Sequence, residues 1–120
     1  MSYDISLKDP VTGETLEVKE PHFIRGGTFA VNGTTECWLN ITYNYAKHFY
    51  REDVLGEKGI RTIYGMSGAE SIPVLKKAIE ALGNDVSADY WEPTEGNAKK
   101  ALYGLLALAQ MRPDGVWDGD

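Results

Sequence analysis

The chain has a single cysteine, Cys37, so no disulfide can form within it. That excludes the disulfide-stapled scaffolds typical of small secreted proteins. It also lacks any apolar run close to the ~20 residues a helix needs to cross a bilayer. Its first residues, Met1-Ser2-Tyr3-Asp4-Ile5-Ser6, show no basic region followed by an apolar core, as a secretory signal would. These absences lead us to expect a cytoplasmic protein. Cations are scarce as well: 12 Lys and Arg stand against 18 Asp and Glu, a net charge of -6. A general nucleic-acid binder needs a basic footprint, and this chain has none. From Lys77 to Lys99 there is no base at all, only the acids Glu80, Asp85, Asp89, Glu92 and Glu95. Such a stretch is ordinarily a solvated face; the sharper reading is a surface that meets a basic partner.

Several chemical motifs are missing too. The glycine-rich turns Arg25-Gly26-Gly27-Thr28, Gly59-Ile60-Arg61-Thr62 and Tyr64-Gly65-Met66-Ser67-Gly68 lack the Gly-Lys-Ser/Thr ending of a P-loop. His22, Cys37 and His48 have no zinc-ligand spacing. The acids of Asp114-Gly115-Val116-Trp117-Asp118-Gly119-Asp120 lack the spacing and the terminal Glu of a calcium loop. We therefore assign no metal, no cofactor and no catalytic residue.

What is present suits one compact domain over residues 1–120. It divides into a β-rich part at 1–33, a helical part at 34–111 and a turn-rich tail at 112–120. Ile5-Ser6-Leu7-Lys8 and Leu16-Glu17-Val18-Lys19 alternate apolar and polar residues on either side of the turn-rich Asp9–Glu14, as a hairpin does. Thr28–Val31 can add a strand, and Asn32-Gly33 is a turn signal. A first helix is expected from a cap at Thr34 or Thr35 through to Arg51. At 100° per residue, Trp38, Thr42, Tyr45 and Phe49 share one face, opposite Asn40, Asn44, Lys47 and Arg51. β-Branched Ile41 and Thr42 leave a strand open for its first half. Residues 60–64 read either as a short strand or as the end of a loop.

Ser67 and Glu70 match a capping box, but Pro73 would then fall deep inside the helix. Ser71 as cap avoids this, so the second helix is expected to start there, with Ile72, Leu75, Ile79 and Leu82 as its buried stripe. Residues 84–97 form a long acidic and aromatic loop, a length that is often functional. A third helix runs from Thr94 or Asn97 to Met111, with Ala98, Ala101, Leu102, Leu105 and Ala109 on its main face. In the tail, Trp117 is the anchor. The fold class is α+β, a small antiparallel N-terminal sheet packed against about three helices.

The candidate ligand-binding residues gather around 38–51, which combines aromatics, amides and cations without one acid. Lys47, Arg51, His48, Arg25 and Arg61 could hold an anion. Asn40 and Asn44 could hydrogen-bond a planar group, and Tyr43 and Tyr50 could stack on it. Cations, amides and aromatic faces together are what a nucleotide-like ligand needs. The bland alternative is a solvated stripe with half-buried tyrosines. Glu92 with Glu95, or His48, could serve a small hydrolase.

Three strings, Trp38-Leu39-Asn40-Ile41-Thr42-Tyr43-Asn44-Tyr45, Gly59-Ile60-Arg61-Thr62-Ile63-Tyr64-Gly65 and Met111-Arg112-Pro113-Asp114-Gly115-Val116-Trp117, carry a resemblance. The chain resembles a family of small acidic cytosolic proteins of prophages and Gram-positive gut bacteria. The resemblance implies a role in phage–host conflict or an accessory role and brings no functional residues with it. The leading expectation is a non-enzymatic binder of a small anionic ligand. Its rival is an inhibitor that meets a host protein through the acidic surface, and a hydrolase comes third. Tyrosine- and tryptophan-rich faces also suit a second copy, so a homodimer is a further expectation.

Overall fold

The computed structural model describes residues 1–22 and 33–120. In chain order the elements are β1 (Ser2–Lys8), β2 (Glu17–His22), β3 (Thr34–Glu36), β4 (Trp38–Thr42), α1 (Ala46–Phe49), α2 (Gly68–Ala81), α3 (Glu95–Met111) and β5 (Val116–Gly119). Short 3-10 helices cover Tyr43–Tyr45 and Gly59–Ile63. The fold is α+β.

β1 is the central strand of an antiparallel sheet ordered β4-β1-β5. Its alternation decides its faces. Tyr3, Ile5 and Leu7 turn inward and are buried. They pair with Ile41, Leu39 and Trp117 across the two neighbouring strands. Asp4, Ser6 and Lys8 face outward, where Lys8 pairs with Asp118 at 3.0 Å. On that same side the Asn40 amide donates to Ser2 Oγ and Asp4 Oδ1, each at 2.8 Å. β2 and β3 form a separate two-stranded sheet. The expected hairpin closes at its base, where Leu16 N–H donates to the Leu7 carbonyl at 2.9 Å. Beyond that point β2 leaves β1 and joins β3 instead.

α2 and α3 pack on each other, and the core lies between them and the inner face of the three-stranded sheet. All five expected α3 face residues are buried, as are Leu106 and Leu108. In α2, Leu75, Ile79 and Leu82 are buried and Ile72 is partly so. Thr94 caps α3 by accepting from Asn97 N–H at 3.1 Å.

Four expectations need correction. The sheet is not purely N-terminal, because the tail supplies β5 as an edge strand. Its Trp117 is buried, and the indole N–H donates to the Ser71 hydroxyl at 2.7 Å. The long first helix does not exist: 34–42 is two strands, and only Ala46–Phe49 is α-helical. The β-branched run and the inward Leu39 and Ile41 override the 3.6-residue pattern, since a sheet neighbour was available at β1. The helical part thus begins later than residue 34. Of the two readings left open for 60–64, the strand does not form: Gly59–Ile63 is a 3-10 helix that ends at Tyr64. Finally, α2 is capped by Ser67, not Ser71. Ser67 Oγ accepts from Glu70 N–H at 3.0 Å and Glu70 accepts from Ser67 N–H at 2.9 Å. Two satisfied donors outweigh the one bond that Pro73 forfeits. Ser71 instead works inside the helix, buried beneath Trp117. The strand expected at Thr28–Val31 lies outside the described residues. Gly33 has φ of +80°, in the left-handed region that favours glycine.

Candidate functional site

The loop that joins α2 to α3 is held in an unusual way. The carbonyls of Asp89, Tyr90, Trp91, Glu92 and Pro93 all accept hydrogen bonds from side chains of the body. The Asn97 amide donates to Asp89 and Glu92 at 3.1 and 3.0 Å. The Tyr45 hydroxyl donates to Tyr90. The Asn44 amide donates to Trp91 at 2.8 Å. His48 Nε2 meets Pro93 at 2.7 Å, so that nitrogen carries the proton. Asn97 Oδ1 also accepts from Ser87 N–H at 3.1 Å. Asn97 and Tyr45 are buried, so these bonds form where water competes least.

Local sequence explains the placement. The Thr42 hydroxyl accepts from Asn44 N–H at 3.2 Å and turns the chain out of β4 into the 3-10 helix. Asn44, Tyr45 and His48 then emerge over the first turn of α3, where Thr94 has just capped the helix. Gly96 lets the loop approach: a Cβ there would stand 2.6 Å from the Asp85 carbonyl oxygen. Its own N–H donates to that carbonyl at 3.0 Å. The loop turns its side chains outward, leaving Val86 and Trp91 about half exposed. The Tyr90 and Trp91 rings lie 4.5 Å apart.

Arg51 closes the base of this arrangement. It pairs with Asp53 at 2.7 Å and with Glu95 at 2.8 Å. Glu95 also accepts from Gly83 N–H at 3.3 Å. The Arg51 hydrogen bond, then the Gly83 amide, holds the Glu95 carboxyl below its ordinary range. A carboxylate kept ionised in this way is a poor general acid. Burial pushes the Cys37 thiol up, which suits a packed side chain and not a nucleophile.

A second cluster lies around Arg61. Its guanidinium carbon stands 5.1 Å from the centre of the Tyr3 ring, a cation–π contact. Tyr3 meets Tyr43 edge-on at 4.5 Å. Tyr50 and Tyr64 are also within electrostatic reach of the guanidinium. Arg61 Nε donates to the Asp120 carbonyl at 2.9 Å. Burial, then the Tyr50 phenol beside it, pushes Tyr3 up to about 12. Burial, then the nearby Asp120 carboxylate, raises Tyr64, whose hydroxyl has no partner among the described residues.

No protein-family model, curated protein or solved structure matches the chain.

The nine candidate residues therefore separate. Asn44, His48 and Arg51 come together, but on the loop and its flanking acids. Asn40 lies on the outer face of the sheet. Lys47 is exposed on α1. Tyr43, Tyr50 and Arg61 gather around Tyr3. Arg25 lies outside the described residues. A concavity of about 420 Å³ opens between β2 and the end of α3, lined by Glu17, Val18, Lys19, Glu20, Met111 and Arg112. No described candidate lines it. The sequence reading missed Asn97, Tyr45 and Tyr3. An asparagine three residues after a helix cap gives no hint that both ends of its amide turn back on the preceding loop. Among the described residues, no three metal-ligating side chains converge, and no helix is long and apolar enough to cross a membrane.

Proposed function

We propose that this chain is a non-enzymatic binding protein for a small anionic, nucleotide-like ligand, with Arg61, Tyr43 and Tyr50 as the receiving group. One observation carries this reading. Arg51 and Arg112 have carboxylate partners at 2.7–2.8 Å, Asp53 and Glu95 for the first and Asp114 for the second. Arg61 has no side-chain carboxylate within ion-pair distance among the described residues. Its Nε is held by the Asp120 main-chain oxygen and its guanidinium carbon lies 5.1 Å from the centre of the Tyr3 ring. Both terminal nitrogens of the fork are then left for a bidentate grip on a phosphate or carboxylate. Tyr50, 43% exposed, and half-buried Tyr43 offer ring surface to the planar part of the ligand. Sequestration of such a ligand would suit the phage–host conflict or accessory role that the resemblance implies.

The test is a melting-temperature and calorimetric screen with inorganic phosphate, nucleoside mono- and diphosphates and cyclic nucleotides. A ligand at about 100 times its Kd stabilises the native state by about 2.7 kcal/mol. Arg61→Ala is expected to abolish the rise, and Arg61→Lys to reduce it by losing the bidentate geometry. No rise with any of these ligands at millimolar concentration refutes the reading.

A further inference from the structure

The loop before α3 is built to present side chains. Free loops lose conformational freedom when they bind, and that loss subtracts from affinity. Here the loss has already been met in folding, because five consecutive carbonyls, from Asp89 to Pro93, are tied to side chains of the body. The outward side chains are not those of an ordinary solvated turn. Trp91 is 50% exposed and Val86 54%. Tryptophan is the residue most enriched at the energetic centre of protein interfaces, where an acidic or basic rim sets partner choice. The charged side chains of the loop from Asp85 to Glu92 are all acidic, and Asp85, Asp89 and Glu92 are all exposed.

We infer that the Val86–Glu92 surface is a docking face for a cationic segment of another protein, with Trp91 as its anchor. The charge argues for this occupant over a second copy. Each copy carries a net charge of -6, and joining two such loops would bring acid against acid. A cationic segment gains from both elements. Its basic side chains meet the carboxylates, an Arg or Lys stacks on the Trp91 face, and an apolar residue covers Val86.

The full chain, immobilised, is panned against a random peptide library displayed on phage, and the enriched peptide is synthesised and titrated by calorimetry. The enriched sequences are expected to place Lys or Arg on either side of an apolar residue. Trp91→Ala is expected to weaken binding about tenfold or more, and Trp91→Phe to retain most of it. The double substitution Asp85→Asn with Glu92→Gln should weaken binding several-fold and flatten its salt dependence. Asp89 is left alone because its Oδ1 accepts from Trp91 N–H at 3.1 Å and shapes the loop. Unchanged melting temperatures in the variants separate lost contact from lost fold. The inference is overturned by no enrichment, by enrichment of uncharged or acidic sequences, or by full binding in Trp91→Ala. It is likewise overturned if Trp91→Ala abolishes only a concentration-dependent dimer, since the occupant is then a second copy.

Discussion

Substitution of Asn97 tests the idea that the loop is held by side chains. Asn97 is buried at 4% exposure and makes three hydrogen bonds to loop backbone through its amide. A typical net hydrogen bond contributes about 0.5–1.5 kcal/mol. Asn97→Ala removes all three and leaves the Ser87 N–H short of its partner, while the Asp89 and Glu92 carbonyls keep the N–H groups of Glu92 and Thr94 as partners. The expected loss is about 2–3 kcal/mol, below the sum for fully buried groups. For a chain of this size that lowers the melting temperature by about 8–12 °C. Urea unfolding should show a lower midpoint with an unchanged slope. Amide exchange should accelerate at Ser87 and Trp91 well before the α2 and α3 amides respond. Asn97→Asp is the sharper variant. It keeps the acceptor for Ser87 but turns a carboxylate oxygen toward the Asp89 and Glu92 carbonyls. It should be less stable than Asn97→Ala at neutral pH and recover as acid protonates the new carboxyl group. A loss under about 0.5 kcal/mol with unchanged Ser87 exchange would refute the reasoning.

Two further predictions concern the same body. Burial first, with neighbouring groups after it, pushes Tyr3 and Tyr45 up from 10.0 to about 12, so the folded state holds both protons more tightly than the unfolded chain. Their contribution is complete below pH 10 and is lost as the pH rises from there through about 12; an alkaline urea series should show the midpoint falling in that window, with a smaller fall in Tyr45→Phe. Gly96→Ala puts a methyl group 2.6 Å from the Asp85 carbonyl oxygen and 2.7 Å from Val86 Cγ1. It should cost about 1–3 kcal/mol in chemical denaturation and loosen the loop in amide exchange.

Much of the helical half was legible because its patterns are local. The α3 face from Ala98 to Ala109 and the Thr94 cap depend only on spacing within a few residues. The α2 start was legible in kind but misplaced. Whether Pro73 forbids a cap at Ser67 is a contest of small energies, and the capping box won. Residues 38–49 were harder. Thr42, Tyr45 and Phe49 are buried as the helical period requires, yet they lie on a strand, a 3-10 helix and α1 in turn. Period alone could not tell one helix from three short elements that bury the same residues. The candidate site was legible only as an inventory of chemistry. That Arg51 meets the Glu95 side chain while Arg61 meets only the Asp120 main chain depends on residues 44 and 59 positions away.

The sequence by itself determined the class of fold, the central apolar helix and the capping chemistry, because hydrophobic period and caps act over one or two turns. It also determined that charge is scarce in cations and that Cys37 stands alone. Only the tertiary structure decided which strand lies beside β1, since a sheet partner for Trp38–Thr42 exists only once Ser2–Lys8 is in place. The same holds for β5, which the tail becomes by pairing with the first strand of the chain. It also decided which polar side chains are already used. Asn44 and His48 use their hydrogen bonds on the loop before α3, and Arg51 uses its own on Asp53 and Glu95, a matter of long-range geometry that no local pattern records.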